Sequence, residues 1–211
     1  FKTDETGKFI TYLKLEAGNY KLIEVKRPTS YLIDTNGLPF TIGDDTHYNY
    51  TTYGAFITVY FENSPIKGQL EINKEGEKFI TNNGSFSYEN VALENVVFNI
   101  YAAEDIKTAD GKHLYYNKGD LVDTITTDKN GYAISKKLPL GKYFYVEVKT
   151  NNNYILDTKE YYFELTEKDN KTPVVYKSFS ILNKYEKGEL EFTKTDLING
   201  EAIADTKIEI Y

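Results

Sequence analysis

The stretch FENSPIKGQLEINKE at residues 61–75 returns, altered but recognisable, as ILNKYEKGELEFTKT at 181–195. Three further pairs keep the same order along the chain. TDETGKF (3–9) matches TDKNGYA (127–133), AGNYKLIEVK (17–26) matches LGKYFYVEVK (140–149), and YLIDT (31–35) matches YILDT (154–158). Asn63 and Asn183 stand 120 residues apart, and Glu24 and Glu147 stand 123 apart. A chain with that period folds as successive copies of one unit, and about 120 residues is the size of one small β-sandwich.

The period divides the 211 residues into the last part of one repeat (1–66), one whole repeat (67–186) and the opening strands of a third (187–211). Residues 76–92 read as an extra hairpin inserted after the first strand of the middle repeat. The linkers SPIKG and KYEKG are short, so the units are expected end to end, as a stalk. The start at FKTDETG, without methionine and in mid-pattern, suggests a piece of a longer protein.

Local pattern agrees with an all-β fold of transthyretin-like or reverse-immunoglobulin sandwiches. Short alternating runs rich in Tyr, Phe, Ile, Val and Thr dominate: YKLIEV (20–25), FITVYF (56–61), GQLEIN (68–73), VVFNIY (96–101), KYFYVEV (142–148) and YYFEL (161–165). Gly, Asn and Asp turns bound them, and helical periodicity is nearly absent. With 20 Tyr and 12 Phe, the chain has bulk enough for a packed core. A net charge of −7 argues against a nucleic-acid partner. No apolar run nears the roughly 18 residues of a membrane span, so no membrane contact is expected in this segment. The absence of cysteine rules out disulfides and thiolate chemistry.

Three polar residues fall in the apolar phase of their strands. Leu70, Ile72 and Lys74 share a face, as do Leu190, Phe192 and Lys194. Ile57, Val59, Phe61 and Asn63 share one, as do Phe179, Ile181 and Asn183. Glu147 shares a face with Tyr143 and Tyr145, and Glu24 with Tyr20 and Leu22. Alternation alone leaves open which face of KYFYVEV is buried, because Phe144, Val146 and Val148 occupy the other. Such residues at strand ends are ordinarily snorkelling or solvent-facing.

Buried together, they would do chemistry. Burial pushes a lysine toward its neutral, nucleophilic amine and a carboxyl toward its neutral acid. A protonated glutamic acid can polarise an asparagine carbonyl and pass its proton to the departing ammonia. The product is an intramolecular isopeptide bond, helped by fixed proximity.

The run GQLEINKE, LENVVFNIY, TTDKNGYA, LPLGKYFYVEVKTNNNYILD and a closing SILN resembles the collagen-adhesin B-type domain. These domains, also called SpaA-type or prealbumin-like, belong to Gram-positive surface adhesins and pilins. The segment IYAAEDIKTADGKHLYYNKGDLV (100–122) is also typical of their long tandem versions. The resemblance implies a Lys–Asn isopeptide bond assisted by a glutamate. By position the lysine is Lys74, the glutamate Glu147 and the asparagine Asn183. Glu24 and Asn63 match in the first partial repeat, and Lys194 matches in the third, each with partners outside the chain. The glutamate motif keeps the family's tyrosine but not the glycine before it, and in the second copy not the proline, reading EVKRPTSY and EVKTNNNY.

The implied role is a structural stalk on the extracellular, cell-wall-attached surface of a Gram-positive bacterium. It needs no cofactor or metal and is no enzyme beyond one autocatalytic turnover. Other surface subunits or host extracellular matrix are the expected partners. A monomer is expected, with head-to-tail association of the partial repeats, Lys194 beside Asn63, as a further expectation. The alternative is a ligand-binding module for a host matrix protein or glycan, its best candidate face HYNYTTYGAF (47–56). His47 and His113 stand alone and read as surface residues. DKNG (128–131) and DGK (110–112) look like calcium loops but lack the downstream acid, so they read as turns. The sequons NYT (49–51) and NGS (83–85) carry no implication.

Overall fold

Strand formation differs sharply between the first 66 residues and those that follow. The computed structural model describes residues 1–43, 47–52, 54–82 and 85–209. Gly18–Leu22 (β1) pairs antiparallel with Leu38–Ile42 (β2), and Asn49–Thr51 (β3) with Gly54–Phe56 (β4). The strands expected over 20–25 and 56–61 are therefore shorter than their patterns: β1 stops before Glu24, and residues 57–61 form no strand. Apolar alternation marks a strand's faces but cannot supply the partner backbone that makes it a strand.

From residue 67 on, the strands are longer and more fully paired. Lys67–Asn82 (β5) is a single 16-residue strand. It turns back into Ser85–Ala92 (β6), pairing from Glu75↔Ala92 to Asn82↔Ser85. The segment 76–92 is a hairpin whose first arm is the uninterrupted continuation of β5. Then come Val97–Ala102 (β7), Ile106–Lys107 (β8), Leu114–Tyr116 (β9), Leu121–Thr126 (β10), Tyr132–Ile134 (β11) and Leu138–Pro139 (β12). Gly141–Lys149 (β13), Tyr161–Leu165 (β14) and Val174–Asn183 (β15) complete the set. No helix occurs among the described residues, so none is long and apolar enough to cross a membrane.

Two layers result. One sheet has the order β10-β7-β13-β14; the other is built on β5, with β11 and β12 on one edge and β15 running parallel on the other. Between them lie Leu70, Ile72, Phe98, Ile100, Tyr143 and Tyr145, all buried. The face of β13 left open by alternation is settled here. Tyr143, Tyr145 and Glu147 point into the core, while Val148 is exposed. The tyrosines can face inward because their rings pack on Phe163 and Phe98, and because the Tyr143 hydroxyl donates to the Pro139 carbonyl at 2.8 Å.

A buried lysine, glutamate and asparagine

The three in-phase polar residues of the middle unit arrive from three strands and meet. Lys74 is on β5, Asn183 ends β15 two register positions further along, and Glu147 comes across the core from β13. Their exposures are 1 %, 2 % and 2 %. The Lys74 Nζ lies 2.8 Å from Glu147 Oε2 and donates to Asn183 Oδ1 at 2.5 Å. The Asn183 Nδ2 donates to Glu147 Oε1 at 2.6 Å and to Thr150 Oγ1 at 2.8 Å. Each carboxylate oxygen thus faces a different partner, and the triangle closes.

The surroundings keep it dry and still. The Phe98 ring lies 5.9 Å from the amine and is met edge-on by Tyr145. The Lys74 backbone amide donates to Gly131 O at 2.7 Å. Gly131 has φ 73°, and a Cβ there would collide with the Lys74 carbonyl, so the turn ties β5 down where the amine is held. Desolvation pushes the Lys74 amine below the ordinary lysine range, opposed by Glu147 and, further off, by Asp157.

The model of the SpaA family, a prealbumin-like fold domain, matches residues 1–55 and 85–178. The chain belongs to this family. Among solved structures, the TIE protein of Bacillus anthracis is 25% identical with a TM-score of 0.62, over 94% of this chain and 31% of that one. The trypsin-resistant surface T6 protein of Streptococcus pyogenes serotype M6 is 44% identical over 48 residues, 23% of this chain and 9% of that protein. The major pilin SpaA of Corynebacterium diphtheriae is 20% identical, with a TM-score of 0.38, over 58% of this chain and 31% of the pilin. The chain thus spans less than a third of each of these relatives.

In this SpaA-type chain Glu24 and Asn63, the other matched glutamate and asparagine, also meet. Asn63 Nδ2 donates to Glu24 Oε1 at 2.7 Å, as Asn183 does to Glu147, but both residues are only partly buried. The other carboxylate oxygen, Glu24 Oε2, accepts the Asp34 amide at 3.2 Å, where Glu147 faces a lysine. Lys194 is exposed, and its carbonyl accepts the Ile203 amide.

Sequence reasoning missed Thr150. Its counterpart in the first repeat is Arg27, so comparing copies hides it, although its place three residues after Glu147 is a signal. Asp157 lies in the repeated YILDT, and its carboxylate accepts the Tyr161 hydroxyl at 2.5 Å.

The remaining motifs stand apart from this site. His47 and His113 are exposed, the latter edge-on to Tyr115 at 4.9 Å. Asp128 Oδ1 accepts the Asn130 and Tyr132 amides, as Asp4 Oδ1 accepts those of Thr6 and Lys8: both are turns. Asp110 accepts the Thr108 hydroxyl and the Lys112 amide. No group of three or more His, Cys, Asp or Glu set to hold a metal occurs among the described residues. In HYNYTTYGAF, the Tyr48 and Tyr50 rings are 6.4 Å apart and Tyr50 is exposed; Tyr53 lies outside the described residues, as do Asn83 and Gly84 of the second sequon.

Proposed function

We propose that this chain is a stalk segment of a pilin-like Gram-positive surface protein, stiffened by an isopeptide bond between Lys74 and Asn183. The observation that carries the reading is the closed, buried triangle of Lys74, Glu147 and Asn183. Three polar groups gathered in a dry core cost stability unless they pair or react.

Lys74 gives a proton to Glu147 Oε2, and its neutral Nζ attacks the Asn183 side-chain carbonyl carbon. The C–Nδ2 bond breaks as the Glu147 carboxyl, its proton moved to Oε1 beside Nδ2, delivers that proton to the leaving nitrogen. The attacking nitrogen loses its remaining extra proton to the carboxylate. One amide and one ammonia result, and Glu147 is left as the neutral acid. Proximity supplies much of the rate, because the groups need no encounter step. The event happens once per molecule, so the chain is not an enzyme in the turnover sense.

The bond would join the first and last strands of the unit across 109 residues of chain. Closing a loop of that length stabilises by about 4–5 kcal/mol in the chain-entropy treatment used for disulfides. Force pulled along a stalk enters by β5 and leaves by β15, and the amide would carry it without unzipping the sheet. The repeat boundaries at 66/67 and 186/187, an extracellular cell-wall location and association with other surface subunits belong to the same proposal.

Intact-mass measurement tests it. The wild-type chain should be lighter than its sequence by one ammonia, and Lys74→Ala, Asn183→Ala and Glu147→Ala should each have full mass. A full-mass wild type would overturn the bond and leave the sandwich standing.

A further inference from the structure

The corner that follows each site glutamate recurs in space as well as in sequence. Six residues after Glu24 stands Ser30, and six after Glu147 stands Asn153. Both have left-handed backbone with φ 69°. At the first corner, the Ile66 amide donates to Ser30 O at 2.9 Å and the Leu32 amide to Ser64 O at 2.8 Å. At the second, the Glu186 amide donates to Asn153 O and the Ile155 amide to Lys184 O, both at 2.9 Å. Tyr31 bridges to Pro65 in one and Tyr154 to Tyr185 in the other. In each case the grip closes on the residues that lead into the next repeat.

Each corner also carries a charged pin, and the two pins differ. At the first, Arg27 Nη1 and the Ser30 amide converge on Glu167 Oε2, each at 2.9 Å, while the Ile33 amide donates to Asn170 O at 3.1 Å. Glu167 and Asn170 belong to the β14–β15 loop of the following unit. At the second, the pin comes from the inserted hairpin. Glu77 Oε2 accepts the Tyr185 amide at 3.2 Å and pairs with Lys187 Nζ at 2.8 Å. The same Nζ sits 3.8 Å above the Tyr88 ring. Tyr154 stacks on Tyr185 at 4.5 Å and donates its hydroxyl to Glu77 O at 2.8 Å.

We propose that these corners are inter-repeat clasps, which hold residues 64–67 and 184–187 as ordered struts, and that the hairpin of 76–92 supplies the second pin. The sequence after Lys194 reaches its closing IEIY ten residues sooner than that after Lys74 reaches FNIY, so the added length belongs to the middle repeat. An exposed ion pair contributes little alone. At the second corner, two backbone hydrogen bonds, a stacked ring pair and a cation over a ring fasten four consecutive residues to the unit they leave.

The proposal rests on reading 64–67 and 184–187 as linkers between repeats, and not on the isopeptide bond. Hydrogen exchange and limited trypsin digestion of the 211-residue chain, followed by mass spectrometry, test it. The amides of Leu32, Ile66, Ile155 and Glu186 should exchange at least about tenfold more slowly than those of residues 188–193, and trypsin should cut after Lys194 well before Lys184 or Lys187. Asn153→Pro cannot adopt the left-handed backbone. It should release Ile155 and Glu186 and open both linker cuts, with Leu32 and Ile66 unchanged and the ammonia loss retained as proof of folding. Glu77→Ala with Tyr88→Ala should open the cut after Lys187 alone. In Lys74→Ala the clasps should persist. Wild-type linker amides as fast as residues 188–193, protection unchanged by Asn153→Pro, or protection lost in Lys74→Ala would each overturn the proposal.

Discussion

Glu147 and Glu24 occupy equivalent places in two copies of one motif, and each receives an asparagine amide on one oxygen, at 2.6 and 2.7 Å. What differs is the other oxygen. Glu147 faces a buried lysine amine; Glu24 accepts the backbone amide of Asp34. Around Glu147 two full sheets exclude water, while the strand patterns near Glu24 stop short or do not pair. The glutamate–asparagine contact is thus common to both places, and among the described residues the lysine contact is seen at Glu147.

Breaking that difference should have its largest effect at Lys74. With Lys74→Ala the middle site keeps the Glu147–Asn183 contact and loses the amine that faces both residues. Calorimetry should then show a melting temperature lower by roughly 10–20 °C, from about 4–5 kcal/mol contributed by the proposed cross-link over a unit of this size. Glu147→Gln keeps the shape but cannot cycle a proton, so its mass should stay full. Glu24→Gln, by contrast, should cost only about 1 kcal/mol, the value of an ordinary hydrogen bond, read from denaturant midpoints. A large loss at Glu24 would mean that the incomplete copy is a structural centre in its own right.

Thr150→Val sharpens the contrast within the complete site, because it removes one of the two acceptors that orient the Asn183 amide. Refolded protein should lose ammonia about tenfold more slowly, followed by mass against time, and still reach completion.

The smallest effect is alkaline and belongs wholly to the complete unit. Burial pushes the Tyr143 and Tyr145 phenols well above their ordinary range. Tyr154 is pushed up to about 12, first by burial, and Tyr161 to about 12, first by its bond to Asp157. A folded value above the unfolded one means that the neutral form is favoured in the fold. Stability is then complete below the unfolded phenol range, near 10, and is lost as pH rises from there toward the folded values. Ultraviolet titration should show a group of tyrosines ionising late, together with unfolding.

Much of the site was legible because two periods overlap in this chain. The two-residue alternation showed that Lys74 and Asn183 fall in the buried phase, and the 120-residue repeat showed that each oddity occurs twice. Glu147 was legible as a candidate, but its direction was not, since both faces of KYFYVEV carry large apolar side chains. Thr150 was invisible to a comparison of copies, because the equivalent position holds Arg27 with a different task.

The amino-acid order by itself determined the all-β class, the recurrence of the unit and the phase of each polar intruder. These follow from side-chain alternation and from repetition, both local properties of the chain. Only the tertiary structure decided that the tyrosine face of β13 turns inward, that β5 runs on unbroken into the hairpin, and that the patterns over 20–25 and 56–61 do not become full strands. Those outcomes depend on which backbone lies alongside to take up hydrogen bonds and on which rings fill the space between the sheets. No strand carries that information within itself.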